Sequence, residues 1–267
     1  MPTEESELTT DEVTVNGDKQ RVYTNGNSNW PSVSTVLDSR DTPEKDESLQ
    51  SWRKYMYASD RRPDPDKLLR YRGARGTLAH YKALNPLVAY ELASEDEARA
   101  YDSLRDWEYR HSDALRTAKD DIEFFLDAWR DMAEARGIAH FDSDGNVIEE
   151  RVRAIEKAVL DREHQYAGRF DLAYEHPERG TVVADLKTSN ARSMDHLFEK
   201  KWPRYGLQIA AYAQAVEFDV DAVEVLWASP ETESYSVITE DDMPLSRSGY
   251  ERRFLELAHK FHRETQQ

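Results

Sequence analysis

Tyr166-Ala167-Gly168-Arg169-Phe170-Asp171-Leu172 and, after a turn, Val182-Val183-Ala184-Asp185-Leu186-Lys187-Thr188-Ser189 decide how this chain is read. Both segments have the texture of strands, and His176-Pro177-Glu178-Arg179-Gly180 between them carries the residues of a turn. Each strand places an acid near its end. Residues two apart on a strand leave the same face, so Asp185 and Lys187 share a face while Leu186 points into the core. Asp171 stands across from them on the paired strand. Two carboxylates and an ammonium on one sheet face are costly unless something uses them. A solvated cross-strand ion pair is the commoner role of Asp-x-Lys. A pair of carboxylates is also what a hard divalent cation, magnesium or manganese, takes as ligands. Lys187 would then reach the water and the phosphate that the water attacks.

Working outward, residues 151–160 alternate as a preceding strand, on which Glu156 can join the acidic cluster or stay a surface glutamate. Pro203 opens a helix to about Val216, strands follow at 222–228 and 233–239, and a helix at about 247–264 comes last. Upstream, Asn16-Gly17 between Val13–Val15 and Arg21–Tyr23 signals a hairpin. Trp30–Leu37 turns into a short helix or strand, Leu49–Ala58 reads as a helix, and Arg75–Leu84 reads as another that opens after a glycine turn. Two long helices are expected at 94–110, capped by Ser94 and Glu97, and at 112–136. In the second, Leu115, Ala118, Ile122, Phe125, Trp129 and Met132 recur at spacings of three and four, and Gly137 ends it.

The expected fold class is therefore α/β (α+β): a central mixed sheet flanked by helices. Residues 1–12, with five acids and no base, read as a disordered acidic tail. Residues 13–92 form the N-terminal part that carries His80, 93–137 a helical insertion, and 138–267 the core.

Composition narrows the chemistry. The chain has 267 residues and no cysteine, which excludes disulfides, thiolate zinc sites, thiol nucleophiles and cysteine-held iron–sulfur clusters. It contains no Gly-x-x-x-x-Gly-Lys-Ser/Thr loop, no Gly-x-Ser-x-Gly elbow and no His-Glu-x-x-His. No apolar run approaches the ~20 residues of a membrane span, and no basic segment precedes an apolar one at the start, so a cytoplasmic protein with no membrane partner is expected. Charge is strongly acidic: 36 basic against 53 acidic residues, net −17, with 25 arginines but only 11 lysines. Scarce lysine in an acidic chain points to a very salty cytoplasm. There, charges beyond ~3 Å are screened, and net charge loses its force against a nucleic-acid partner.

Four short motifs stand in order: Gly76 to His80 (Gly-x-x-x-His), Gly168 to Asp171 (Gly-x-x-Asp), Asp185 to Thr188 (Asp-x-Lys-Thr) and Gln208 to Tyr212 (Gln-x-x-x-Tyr). Together they resemble the RecB-like exonuclease branch of the PD-(D/E)XK nuclease superfamily. Trp30-Pro31-Ser32-Val33-Ser34-Thr35-Val36-Leu37, with Trp52-Arg53 downstream, is similar to the opening of phage and archaeal-virus members. The resemblance covers roughly residues 22–92 and 150–240 and leaves 94–137 outside the family pattern.

The resemblance implies a restriction-endonuclease-like core and a Mg- or Mn-dependent DNA exonuclease of viral or archaeal recombination, repair or end processing. A recombinase or other replication or repair protein is the implied partner. It assigns Asp171, Asp185 and Lys187 as catalytic, with His80, Asp171, Asp185 and the Leu186 carbonyl as metal ligands and Glu156 as a further candidate. Gln208 and Tyr212 would support the site or touch the DNA. The local basic clusters, Arg70, Arg72 and Arg75 before His80 and Lys200, Lys201 and Arg204 before Gln208, are expected to contact phosphates. Pairing with acids such as Asp195 and Glu199 is their competing role. A structure-specific endonuclease and a DNA-end-binding accessory protein without catalysis remain the alternatives.

Overall fold

The computed structural model describes residues 8–15, 18–39, 43–59, 63–88, 108–111, 114–191 and 193–265. It opens with the antiparallel hairpin β1 (Thr9–Val15) and β2 (Asp18–Thr24), to which β3 (Asn29–Pro31) adds a third strand. Val15 pairs with Asp18, so the expected hairpin forms, and Asn16-Gly17 lie outside the described residues. Thr9–Glu12 belong to β1, so the acidic stretch is structured from there; residues 1–7 lie outside the described residues.

Helix α1 (Val33–Asp38) starts at Ser32, whose side chain accepts from Thr35 N. Helices α2 (Pro43–Tyr57) and α3 (Pro65–Leu84) follow. The α3 helix begins ten residues before the expected start. Asp64 caps it by accepting from Asp66 N and Lys67 N, Pro65 fits the first turn, and good helix formers carry it through both glycines. Gly76 is thus mid-helix rather than in a turn. It is small because α3 crosses the end of a sheet strand here: a Cβ would lie 3.0 Å from Thr188 Oγ1.

The expected helix at 112–136 is shorter. Residues 108–117 include a small hairpin, β4 (Glu108–His111) with β5 (Ala114–Thr117), and α4 spans Ala118–Ala135. Its start is a capping box between Thr117 and Asp120, a stronger local signal than the apolar periodicity that runs back to Leu115. The expected helix at 94–110 falls largely outside the described residues.

A second small hairpin, β6 (Ala139–Phe141) and β7 (Val147–Glu150), leads into the main sheet. That sheet contains β8 (Val152–Asp161), β9 (Tyr166–His176), β10 (Gly180–Thr188), β11 (Ala222–Ser229) and β12 (Ser234–Thr239), in the order β12-β11-β10-β9-β8. Only β10 and β11 pair in parallel, and a parallel pair needs a crossover. Helices α5 (Met194–Lys200) and α6 (Trp202–Ala215) supply it, and α7 (Arg247–Thr265) packs beside α6.

Both faces of the sheet are covered. Val183, Val223, Val225 and Trp227 meet α1, α6 and α7, while Val182, Ala184, Leu186 and Leu226 meet α3 and α4 through Ala79, Ala83, Phe125, Trp129 and Met132. Every residue of β11 is buried, as a central strand between two layers requires. Helix α4 therefore builds the core of this sheet and is not an appended bundle. The fold is a mixed α/β sandwich of the restriction-endonuclease-like kind. No helix among the described residues is long and apolar enough to cross a membrane.

Candidate active site

The ladder between β9 and β10 runs from Gly180↔His176 to Ala184↔Leu172. One step further, the Leu186 N–H donates to the Asp171 carboxylate, Oδ2, at 2.7 Å in place of a strand carbonyl. The strands part here, and groups from both sides of the sheet enter the opening. From α3, His80 Nε2 comes within 2.9 Å of the Leu186 carbonyl and 3.2 Å of Asp171 Oδ2. From β8, Glu156 Oε1 lies 3.6 Å from His80 Nδ1. One ligand atom each from His80, Glu156 and Asp171 all fall within 4.8 Å of one another.

Glu156 holds this position with φ at +47°, the left-handed region that a side-chain-bearing residue enters only at a cost of roughly 1–3 kcal/mol. The neighbouring pairs Ile155↔Leu172 and Lys157↔Phe170 stay in register on either side. The strained residue sits opposite Asp171.

Asp185 and Lys187 share the α6 side of β10 with Val183, as the two-residue period demands. Asp185 is 1% exposed, and Lys187 Nζ stands 2.5 Å from its Oδ2. Beyond Lys187, neither carboxylate oxygen has a hydrogen-bond partner among the described residues. Burial, reinforced by Asp171 and only partly opposed by the Lys187 ammonium, pushes the Asp185 carboxyl up to about 7. Burial alone would discharge His80, but the charge and hydrogen bond of Asp171, with Glu156, hold its imidazole well above the ordinary range. Burial works against a charged Asp171 as well, and His80, Lys187 and the Leu186 N–H keep it below its ordinary value. Lys187 also lies over the Tyr205 ring, 5.6 Å from its centre.

The close set of imidazole and carboxylate donors from His80, Glu156 and Asp171, with the Leu186 carbonyl beside it, fits a divalent cation, while Asp185 lies outside that set and is paired with Lys187. Oxygen donors suit magnesium, and one imidazole favours a transition ion such as manganese.

The remaining expected residues divide. Gln208 Nε2 donates to Tyr212 OH at 2.9 Å, and the Tyr212 ring lies against Gly168, where a Cβ would be 2.6 Å from Cε1. Both residues line a cleft of about 330 Å³ over the cluster. Arg75 is not at its entrance. It is 2% exposed, 2.8 Å from Asp121 Oδ2 and 3.3 Å from Glu231 Oε1, because α3, α4 and the end of β11 close around it. Arg72 also pairs with Glu231, at 3.3 Å. Lys200 pairs with Glu199 and Arg204 with Asp38, both at the surface. Lys201 occupies the position before α6 without a side-chain cap bond to that helix. Arg21 and Tyr23, outside every motif, and Arg169, at a variable position inside Gly-x-x-Asp, line the cleft instead. The alternation of β2, which sends Arg21 and Tyr23 to one face, was the available signal.

The model of the PD-(D/E)XK nuclease superfamily matches residues 48–265. The chain belongs to this superfamily. Its members use divalent metal ions, and the absence of cysteine leaves no thiolates for an iron–sulfur cluster. No curated protein matches the sequence. Among solved structures, the protein SSO0001 is 14% identical, with 72% of this chain and 74% of that one covered and a TM-score of 0.28. A candidate exonuclease from Eubacterium rectale is 14% identical over 60% of this chain and 73% of that one, at a TM-score of 0.26. Likenesses at that level carry no weight for activity.

Proposed function

We propose that this superfamily member is a Mg- or Mn-dependent deoxyribonuclease, an exonuclease acting at DNA ends. Recombination, repair or end processing in an archaeon or its virus, in a high-salt cytoplasm and beside a recombinase or similar repair protein, is the setting that best suits its motifs and composition. The observation that carries the reading is the parting of β9 and β10, where His80, Glu156 and Asp171 converge and the buried Asp185–Lys187 pair follows on β10.

Asp171, Asp185, His80 and the Leu186 carbonyl would hold the ion, with Glu156 as a further ligand. A bound divalent ion supplies a lowered pKa for water and neutralises charge on the phosphate. Lys187, held between Asp185 and the Tyr205 ring, orients the attacking water and stabilises charge that develops on the phosphate oxygens. The Gln208–Tyr212 pair gives the cleft a fixed wall. Lys200, Lys201 and Arg204 remain candidates for contact with the outer strand, since exposed ion pairs such as Lys200–Glu199 are weak enough for a phosphate to displace.

Linear and covalently closed circular DNA, incubated with the protein and manganese and again with a chelator, test the reading. Loss of the linear form alone, abolished by the chelator, is the expected result. Nicking of circles would make the protein an endonuclease. Binding of ends without cleavage would make it an accessory protein.

A further inference from the structure

The cleft over the acidic cluster has a second wall of opposite character. Arg21 and Tyr23, on β2, and Arg169, next to the cluster on β9, all line it, with Ser34 of α1 beside them. Tyr23 is 4% exposed and faces the same cleft as both guanidiniums.

Neither arginine is consumed by the fold. Among the described residues no carboxylate forms an ion pair with Arg21. It is the Arg21 carbonyl, not its side chain, that receives the hydrogen bonds from Ser32 N and Thr35 Oγ1 anchoring α1. Arg169 approaches an acid only at long range, Nη1 to Glu156 Oε2 at 3.9 Å, and its Nε has no hydrogen-bond partner. The acids nearest this wall are Glu156 and Asp171 on the cleft floor and Glu12 across the β1–β2 register. Arg75, by contrast, is spent on Asp121 and Glu231.

We propose that Arg21 and Arg169, with the Tyr23 hydroxyl, form a phosphate-binding subsite that holds the substrate strand beside the cluster. The geometry behind it is two guanidiniums, Arg21 with no ion pair among the described residues and Arg169 with only a long one, and a phenol lining one polar cleft against the candidate metal ligands. Guanidinium forks match phosphate oxygens, which makes a phosphate the fitting occupant. The phosphate is either the one ending the strand or an internal one. The subsite rests on the reading of this centre as a nuclease, and it assigns substrate positioning to the N-terminal hairpin.

Binding tests it apart from cleavage. Fluorescent oligonucleotides ending in a 5′-phosphate, a 3′-phosphate or a hydroxyl are titrated with the full chain in calcium across a salt series. The variants are Arg21→Gln, Arg169→Gln and the charge-keeping Arg21→Lys, with thermal melts as the folding control. Each glutamine variant is expected to weaken binding on the order of tenfold and to reduce the salt slope by about one contact, while Arg21→Lys keeps most of the affinity. A loss confined to one phosphorylated end assigns a terminal phosphate, and an equal loss on all three an internal one. Unchanged affinity and slope in both glutamine variants would overturn the subsite, even if the wild type cleaves DNA. If the wild type binds but never cleaves and the variants lose binding, the subsite stands and the nuclease reading falls. Absence of any DNA binding by the wild type would remove both.

Discussion

Asp185 is a buried carboxylate whose close partner among the described residues is the Lys187 ammonium, 2.5 Å away. Substituting either should cripple cleavage for different reasons. Asp185→Asn removes an ion ligand. Lys187→Ala leaves the ligands but loses water orientation and charge stabilisation, a loss of about 10²–10³ in turnover. Calorimetry with manganese should therefore show weakened binding in the first and largely retained binding in the second; full activity in either would sink the site assignment. Gly168 gives a prediction of another kind. A methyl group there would enter the Tyr212 ring, so Gly168→Ala should destabilise the fold by about 1–3 kcal/mol and disturb the Gln208–Tyr212 pair. Denaturant melts and cleavage rates check the two effects separately, and an unshifted melt would mean that α6 yields freely.

At the scale of elements, α3 matters because it carries His80 to the parted strands, and Arg75 pins it. The Arg75 guanidinium joins Asp121 of α4 to Glu231 after β11, while Tyr71 donates to the same Asp121 oxygen at 2.8 Å. Asp121 is fully buried, so Arg75→Met removes the guanidinium that balances its charge and should cost about 3–5 kcal/mol in urea unfolding. The double change Arg75→Met with Asp121→Leu should recover much of that loss. Were Arg75 a DNA contact instead, the single variant would lose DNA affinity with an unchanged unfolding midpoint. How helix α3 reads in the sequence is instructive. Its C-terminal half is legible from the Arg75–Leu84 periodicity, but Gly76 mimics a turn, and only the nearness of Thr188 explains the glycine.

For the whole molecule, the governing quantity is the excess of 53 acids over 36 bases. At low ionic strength these acids repel one another and favour expansion, whereas molar salt screens them. Salt also weakens arginine–phosphate contacts, but the cluster exists only while the sheet is folded. Stability and cleavage should therefore both peak at high salt, with unfolding as salt is dialysed away without divalent metal. Circular dichroism and cleavage across one salt series check this, and a protein fully folded and most active at low salt would refute the halophilic setting while leaving the nuclease reading intact.

The strands, α6, α7 and the shared face of Asp185 and Lys187 were legible in the linear chain because strand and helix periods are local properties of neighbouring residues. Asn16-Gly17 placed the first hairpin for the same reason. Three things were not local. The burial of Arg75 needed Asp121 and Glu231, which are 46 and 156 residues away. The placing of α4 in the core needed the apolar face of the sheet beneath it. The opposing wall of Arg21, Tyr23 and Arg169 needed the hairpin to fold over β9. Motif order carried the family because the chemistry constrains a few spacings. Which charged side chains stay uncommitted depends on long-range packing, since a cation left in a crowded interior takes whatever carboxylate the fold brings to it, and no local pattern records that choice.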